Sequence, residues 1–68
     1  MQHATMNSQL KAIRKQHKLN QTQFAERLHV TQQAVSYWER GKGLPAAPSL
    51  IKICQTFHIP IERLIQSA

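Results

Sequence analysis

The chain has 68 residues, enough for one small domain with an economical core. Nine Lys and Arg stand against three Asp and Glu, and a net charge of +6 points to polyanionic partners, either nucleic acid or an anionic membrane surface. No apolar run approaches the ~20 residues of a membrane span, the start MQHATMNSQ has no charged or apolar signal region, and a lone cysteine excludes an internal disulfide.

The expectation is a cytoplasmic protein with a frayed tail at 1–5 and one folded domain over 6–68. Leu10, Ile13 and His17 recur at three and four, which predicts a first helix. Asn20 is a good N-cap for a second, from about Gln21 to Leu28, with Phe24, Ala25 and Leu28 on its apolar face. Thr31 caps a third, from about Gln32 to Arg40, with Val35 and Trp38 turned inward. Gly41 and Gly43 end it, and GKGLPAAPS reads as a loop. A fourth helix, from about Ala47 to Phe57, tolerates Pro48 in its first turn and buries Leu50, Ile53, Cys54 and Phe57. Pro60 opens a last short helix from about Ile61 to Gln66, with Ile61, Leu64 and Ile65 as its apolar residues. Every apolar cluster has helical spacing, so the fold class is all-α with five short helices.

Only His29, Val30 and Thr31 separate the second and third helices. So short a turn forces a steep crossing, the helix-turn-helix arrangement. Ala25 supplies the small residue that such a contact needs, Val35 and Trp38 face it, and Leu28 and Val30 plug the turn. The next stretch, TQQAVSYWERG, opens its helix on two neutral amides, Gln32 and Gln33. A carboxamide holds an acceptor beside two donors, which matches the major-groove edge of adenine. Either glutamine alone reads equally well as an exposed helix former. At this position, in so basic a chain, base contact is the better reading. Ser36 and Tyr37 lie one turn on. Ser36 is small enough to let the backbone approach the groove. Tyr37 has two readings: contact with a thymine methyl, a sugar or a phosphate, or a cover over Trp38. Asn20, Arg40 and Lys42 are phosphate candidates, together with the cap residue Thr31.

The stretch LNQTQFAERLHVTQQAVSYWERGKGLP resembles the helix-turn-helix of the Cro and repressor family of lambdoid phages and their bacterial relatives. LIKICQTFHIPIERLI resembles that family's last two helices, so the likeness runs through nearly all the chain from about Leu10. Gln21, Ala25, Val35, Trp38, Glu39 and Gly41 sit where the family pattern wants such residues. The resemblance implies a lambda-repressor-like DNA-binding domain. It implies that Gln21, at a helix N-terminus with outward amides and a positive dipole, grips a phosphate. It implies an ion pair between Arg14 and Glu39, which would fix the recognition helix. It also places the last helix at a two-fold interface, with Ile61, Arg63 and Leu64 meeting a partner. Where the family commonly has glycine at three helix ends, this chain has Lys18, His29 and His58. Positive φ at such residues costs on the order of 1 kcal/mol.

Taken together, these readings predict a sequence-specific DNA-binding transcriptional regulator. A Cro-like repressor fits best, binding double-stranded DNA as a weak homodimer on a near-palindromic operator and blocking polymerase. The end at Ala68, just past the last helix, favours it over a long two-domain repressor. Antitoxins and restriction–modification controller proteins of the same fold are the nearest alternatives, and a protein-binding adaptor is a more distant one. No enzyme is expected, because the three carboxylates lie far apart and no Ser or Cys has an evident base. His3, His17, His29 and His58 lack metal-ligand spacing. No cofactor, small-molecule ligand or membrane contact is expected.

Overall fold

The computed structural model describes residues 5–65. They form α1 (Met6–Gln16), α2 (Gln21–Leu28), α3 (Gln32–Glu39), α4 (Ala47–Phe57) and α5 (Ile61–Ile65). The bounds of α2 and α4 are those expected. Arg40 is the C-cap of α3 rather than its last residue. Gln66 lies outside the described residues, as do residues 1–4 of the expected frayed tail. Thr5 is not frayed: its side chain caps α1, accepting from the Ser8 N–H at 3.2 Å. Among the described residues no helix is long and apolar enough to cross a membrane.

Each N-terminus follows from a local residue. Asn20 and Gln23 make a reciprocal capping box, with Gln23 N–H donating to Asn20 Oδ1 at 2.7 Å and Asn20 N–H donating to Gln23 Oε1 at 2.9 Å. Thr31 Oγ1 accepts from Ala34 N–H at 3.1 Å. Helix α4 has no side-chain cap and relies on proline in its first turn.

The C-termini share one device. After α1, α2 and α4 the chain turns left-handed at Lys18 (φ 57°), His29 (φ 57°) and His58 (φ 56°). The next residue then donates back five positions: Leu19 to Arg14, Val30 to Ala25 and Ile59 to Cys54. This is the Schellman closure, normally built on glycine. The three non-glycine residues accept the strain because the following Leu19, Val30 and Ile59 all pack on the core. Lys18→Gly, His29→Gly and His58→Gly should therefore each stabilise the fold by up to about 1 kcal/mol. Urea titration of the three variants checks this, and no gain at any of them would mean that the turns are unstrained.

One core serves all five helices. Leu10 and Ile13 of α1, Phe24, Ala25 and Leu28 of α2, Val35 and Trp38 of α3, Ile53 and Phe57 of α4, Ile59, and Leu64 of α5 are all buried. Phe24 stacks on Phe57 with ring centroids 5.0 Å apart. His17, part of the apolar spacing of α1, is exposed, yet its ring still packs against Phe57 at 4.8 Å. Cys54, expected in the core, is only half-buried at its edge. Burial pushes its thiol above the ordinary value, and the charge of Glu62 adds to that. Helix α2 packs against α3 and α4, and α1 against α3 and α5, so α3 is held from two sides.

Candidate nucleic-acid interface

Helices α2 and α3 pack against each other across the short turn, with Ala25, Val35 and Trp38 buried in the shared core. This leaves the outer face of α3 in solvent. Gln32 and Gln33 are exposed, Ser36 is half-buried, and Tyr37 is 50 % exposed. A Cβ added to Gly43 would lie 2.7 Å from the Tyr37 ring, so the ring rests over this glycine. The ring thus lies against the loop after α3 rather than serving as the expected cover over Trp38, and it stays half exposed.

The first turn of α3 is wired to the interior. Arg14 donates to both carboxylate oxygens of Glu39, from Nε to Oε2 at 2.7 Å and from Nη2 to Oε1 at 3.0 Å. Its Nη1 donates to the Leu19 carbonyl at 2.9 Å, so the same guanidinium braces the α1–α2 turn. Glu39 Oε1 also accepts from Gln21 Nε2 at 3.1 Å. Gln21 Oε1 in turn accepts from Gln32 Nε2 at 2.6 Å. The result is a continuous line, Arg14–Glu39–Gln21–Gln32, that runs from a nearly buried ion pair to an exposed amide.

The charges in this line are well matched. Hydrogen bonding to Glu39 raises the Arg14 pKa above its ordinary value, although burial opposes this. Burial alone would push the Glu39 carboxyl up. Hydrogen bonds from Arg14 and Gln21 and the charges of Arg14 and Lys11 outweigh it, so the net shift is downward. Glu39 is therefore ionised and engaged, which explains an acid beside a basic face.

The phosphate candidates divide into two kinds. Asn20 and Thr31 each spend a side-chain oxygen on capping, as described above. Gln21 spends one N–H on Glu39, which leaves the second N–H of the same amide for an outside acceptor. Arg40 and Lys42 are exposed, and Arg40 Nε reaches back to the Ser36 carbonyl at 3.4 Å. On α5 the expectation changes. Leu64 is 0 % exposed and belongs to the core of its own chain, so its side chain is not available to a partner. Ile61, Leu64 and Ile65 share one face by their spacing, but only Leu64 reaches the core. Ile61, at 38 % exposure, and Ile65, at 54 %, stay in contact with solvent, and Arg63 is exposed beside them.

The residue that sequence reasoning missed is Asn7. Its side-chain amide donates to the Trp38 carbonyl at the end of α3 and to the Gly43 carbonyl at 3.3 Å. These partners lie 31 and 36 positions away, beyond any local signal.

Two short helices packed together and joined by three residues, the second with its outer face in solvent, form a helix-turn-helix. The family described as Helix-turn-helix matches residues 10–64, and the chain belongs to it. The match supports a sequence-specific DNA-binding transcriptional regulator. The chain is 41 % identical over 59 residues to the HTH-type transcriptional activator BcrR of Enterococcus faecalis, an alignment that takes in 87 % of this chain and 29 % of that relative. It therefore spans under a third of the relative's length. The fold is similar to that of the P22 c2 repressor solved with a synthetic operator, with TM-score 0.85 and 23 % identity, covering 94 % of this chain and 97 % of that one. It is also similar to part of Bacillus thuringiensis PlcR, solved with the peptide PapR7 and DNA, with TM-score 0.83 and 30 % identity, covering 94 % of this chain and 22 % of that one.

Proposed function

We propose that this domain lays α3 in the major groove of double-stranded DNA and reads an operator through Gln32, Gln33, Ser36 and Tyr37. The observation that carries the reading is the line from Arg14 to Gln32. It holds an amide at the exposed start of α3 by three successive polar contacts. A mere solvated glutamine has no need of that support. Asn20, Gln21, Thr31, Arg40 and Lys42 grip phosphates on either side of the groove.

The cytoplasmic protein acts as a weak homodimer on a near-palindromic site, with two copies of α3 about one helical turn apart. Repression by occlusion needs nothing beyond this domain and the DNA. The similarity to a relative named as an activator favours a second reading, in which the same contacts place a larger protein beside a promoter. A reporter carrying the selected operator upstream of, or overlapping, a promoter separates the two.

The binding test is a salt titration on operator and random duplexes. Arg40→Ala and Lys42→Ala should weaken binding to both, each flattening the log–log salt slope by about one unit. A changed sequence preference with an unchanged slope would remove these two residues from the phosphate set.

The dimer is tested at α5. Ile61→Asp should lower operator affinity on the order of tenfold without lowering the thermal midpoint, because Ile61 lies outside the core. Sedimentation with DNA that finds wild type and variant equally dimeric and equally bound would end this assignment.

A further inference from the structure

We propose that Asn7 is the positioning residue that fixes the end of the recognition helix and the loop behind it, and so sets where Lys42 meets the DNA backbone. The last clause rests on the phosphate reading of Lys42 above.

Helices α1 to α4 end alike. All close with a backbone bond that returns five positions: Leu19 to Arg14, Val30 to Ala25, Lys42 to Tyr37 and Ile59 to Cys54. In three of them the returning residue is apolar and packs on the core, which pins the turn from beneath. The recognition helix is the exception. Its returning residue is Lys42, which is exposed, so that residue does not pin the turn to the core as the other three do.

Asn7 supplies the missing anchor from another element. It lies in the first turn of α1, half-buried, and its amide donates to carbonyls on both sides of the turn, Trp38 before it and Gly43 after it. The Trp38 carbonyl also accepts from Gly41 N–H at 3.1 Å, so the clamp and the helix closure share an atom. The Tyr37 ring also rests over Gly43. The turn is thus held by an amide at both of its ends and by a ring at Gly43, with Lys42 left exposed. A carboxamide suits this place because its two N–H groups can serve two carbonyls at once. The arrangement lets the chain keep a charged residue at a position that the other helix ends fill with a core residue.

The test is a double-mutant cycle on the whole chain, with operator affinity and salt slope measured for Asn7→Ala, Lys42→Ala and the double variant. Asn7→Ala removes no charge. It should nonetheless lower operator affinity about five- to tenfold and flatten the salt slope as Lys42→Ala does. The double variant should bind within about twofold of the weaker single variant, because both changes remove the same contact. Multiplicative losses, or an unaltered Asn7→Ala protein, overturn the proposal.

Amide exchange in the free protein gives a reading independent of DNA. Exchange at the Lys42 N–H should quicken about tenfold in Asn7→Ala, while the equivalent Val30 N–H at the end of α2 keeps its rate. Equal acceleration at both sites would make Asn7 a general structural residue and overturn the proposal, as would no acceleration at all. If Lys42→Ala leaves the salt slope intact, the phosphate reading falls and the exchange rates alone decide the role of Asn7. Should Asn7→Ala fail to fold, Asn7→Ser takes its place, because a single short hydroxyl cannot span both carbonyls and serine is well tolerated in the first turn of a helix.

Discussion

Glu39→Ala should cost the fold about 3 kcal/mol. The Glu39 side chain is 4 % exposed and that of its partner Arg14 12 %. Removing the acid would strand the guanidinium, with only the Leu19 carbonyl left to it. Breaking a buried pair from one side costs about 3–5 kcal/mol, and the slight exposure of Arg14 argues for the lower end. A domain of this size has roughly 3–10 kcal/mol to lose, so a visible unfolded fraction should appear at 37 °C. Replacing both partners with leucine should restore most of the stability, because no buried charge then remains unpaired. Operator affinity should stay low in that double variant, since Gln21 has lost the acceptor that holds it. Urea denaturation gives the first number and operator titration the second. A Glu39→Ala protein within about 0.5 kcal/mol of wild type would show that the pair contributes no more than an exposed one.

The same pair sets an acid limit. The folded-state pKa of Glu39 is depressed, so its contribution is complete above the ordinary carboxylate value of about 4.3 and is lost as pH falls through the lower folded value. Wild type should therefore weaken between about pH 5 and pH 3, and part of that slope should vanish in Glu39→Gln. An identical acid slope in the two proteins would mean that other carboxyls govern it.

The ion pair was legible only through the family resemblance, because residues 25 positions apart on two helices leave no local signal that they meet. The bounds of α2 and α4 were legible directly, since Asn20 and Pro48 are each strong local signals. What escaped the sequence has a physical pattern of its own. The spacing of Ile61, Leu64 and Ile65 puts all three on one face of α5, so it could not say which of them the core would take and which would stay in solvent. The core selected Leu64 and left the others out. The left-handed turns at Lys18, His29 and His58 looked doubtful by residue type alone. They form because the next residue gains burial that outweighs about 1 kcal/mol of strain. Asn7 was invisible because a side chain bonding a distant carbonyl leaves no periodicity behind. Thr5 was taken for tail, although a threonine three residues before a serine can cap, and Ser8 N–H finds it.

Gln32→Ala should relax sequence preference at one position of each operator half-site by ~1–3 kcal/mol, or about tenfold to a hundredfold. The amide of Gln32 has one carbonyl and two N–H groups. One N–H is committed to Gln21, which leaves the carbonyl and the other N–H side by side. Those are the two groups that adenine needs, an acceptor for its N6 and a donor for its N7. The bond to Gln21 also removes rotational freedom before DNA arrives, so less entropy is lost on contact. Gln21→Ala should therefore weaken discrimination at the same base pair as Gln32→Ala, though by less. Gln33 has no such brace and is rotated about 100° around the helix, so Gln33→Ala should act at a neighbouring base pair and more weakly. None of the three substitutions removes a charge, so non-specific affinity and salt slope should hold nearly constant. The measurement is binding-site selection at one fixed salt concentration on wild type and the three variants. Selected motifs that match at every position would make these glutamines exposed helix formers. Relaxation at unrelated positions by Gln21→Ala and Gln32→Ala would break the link between the ion pair and the base.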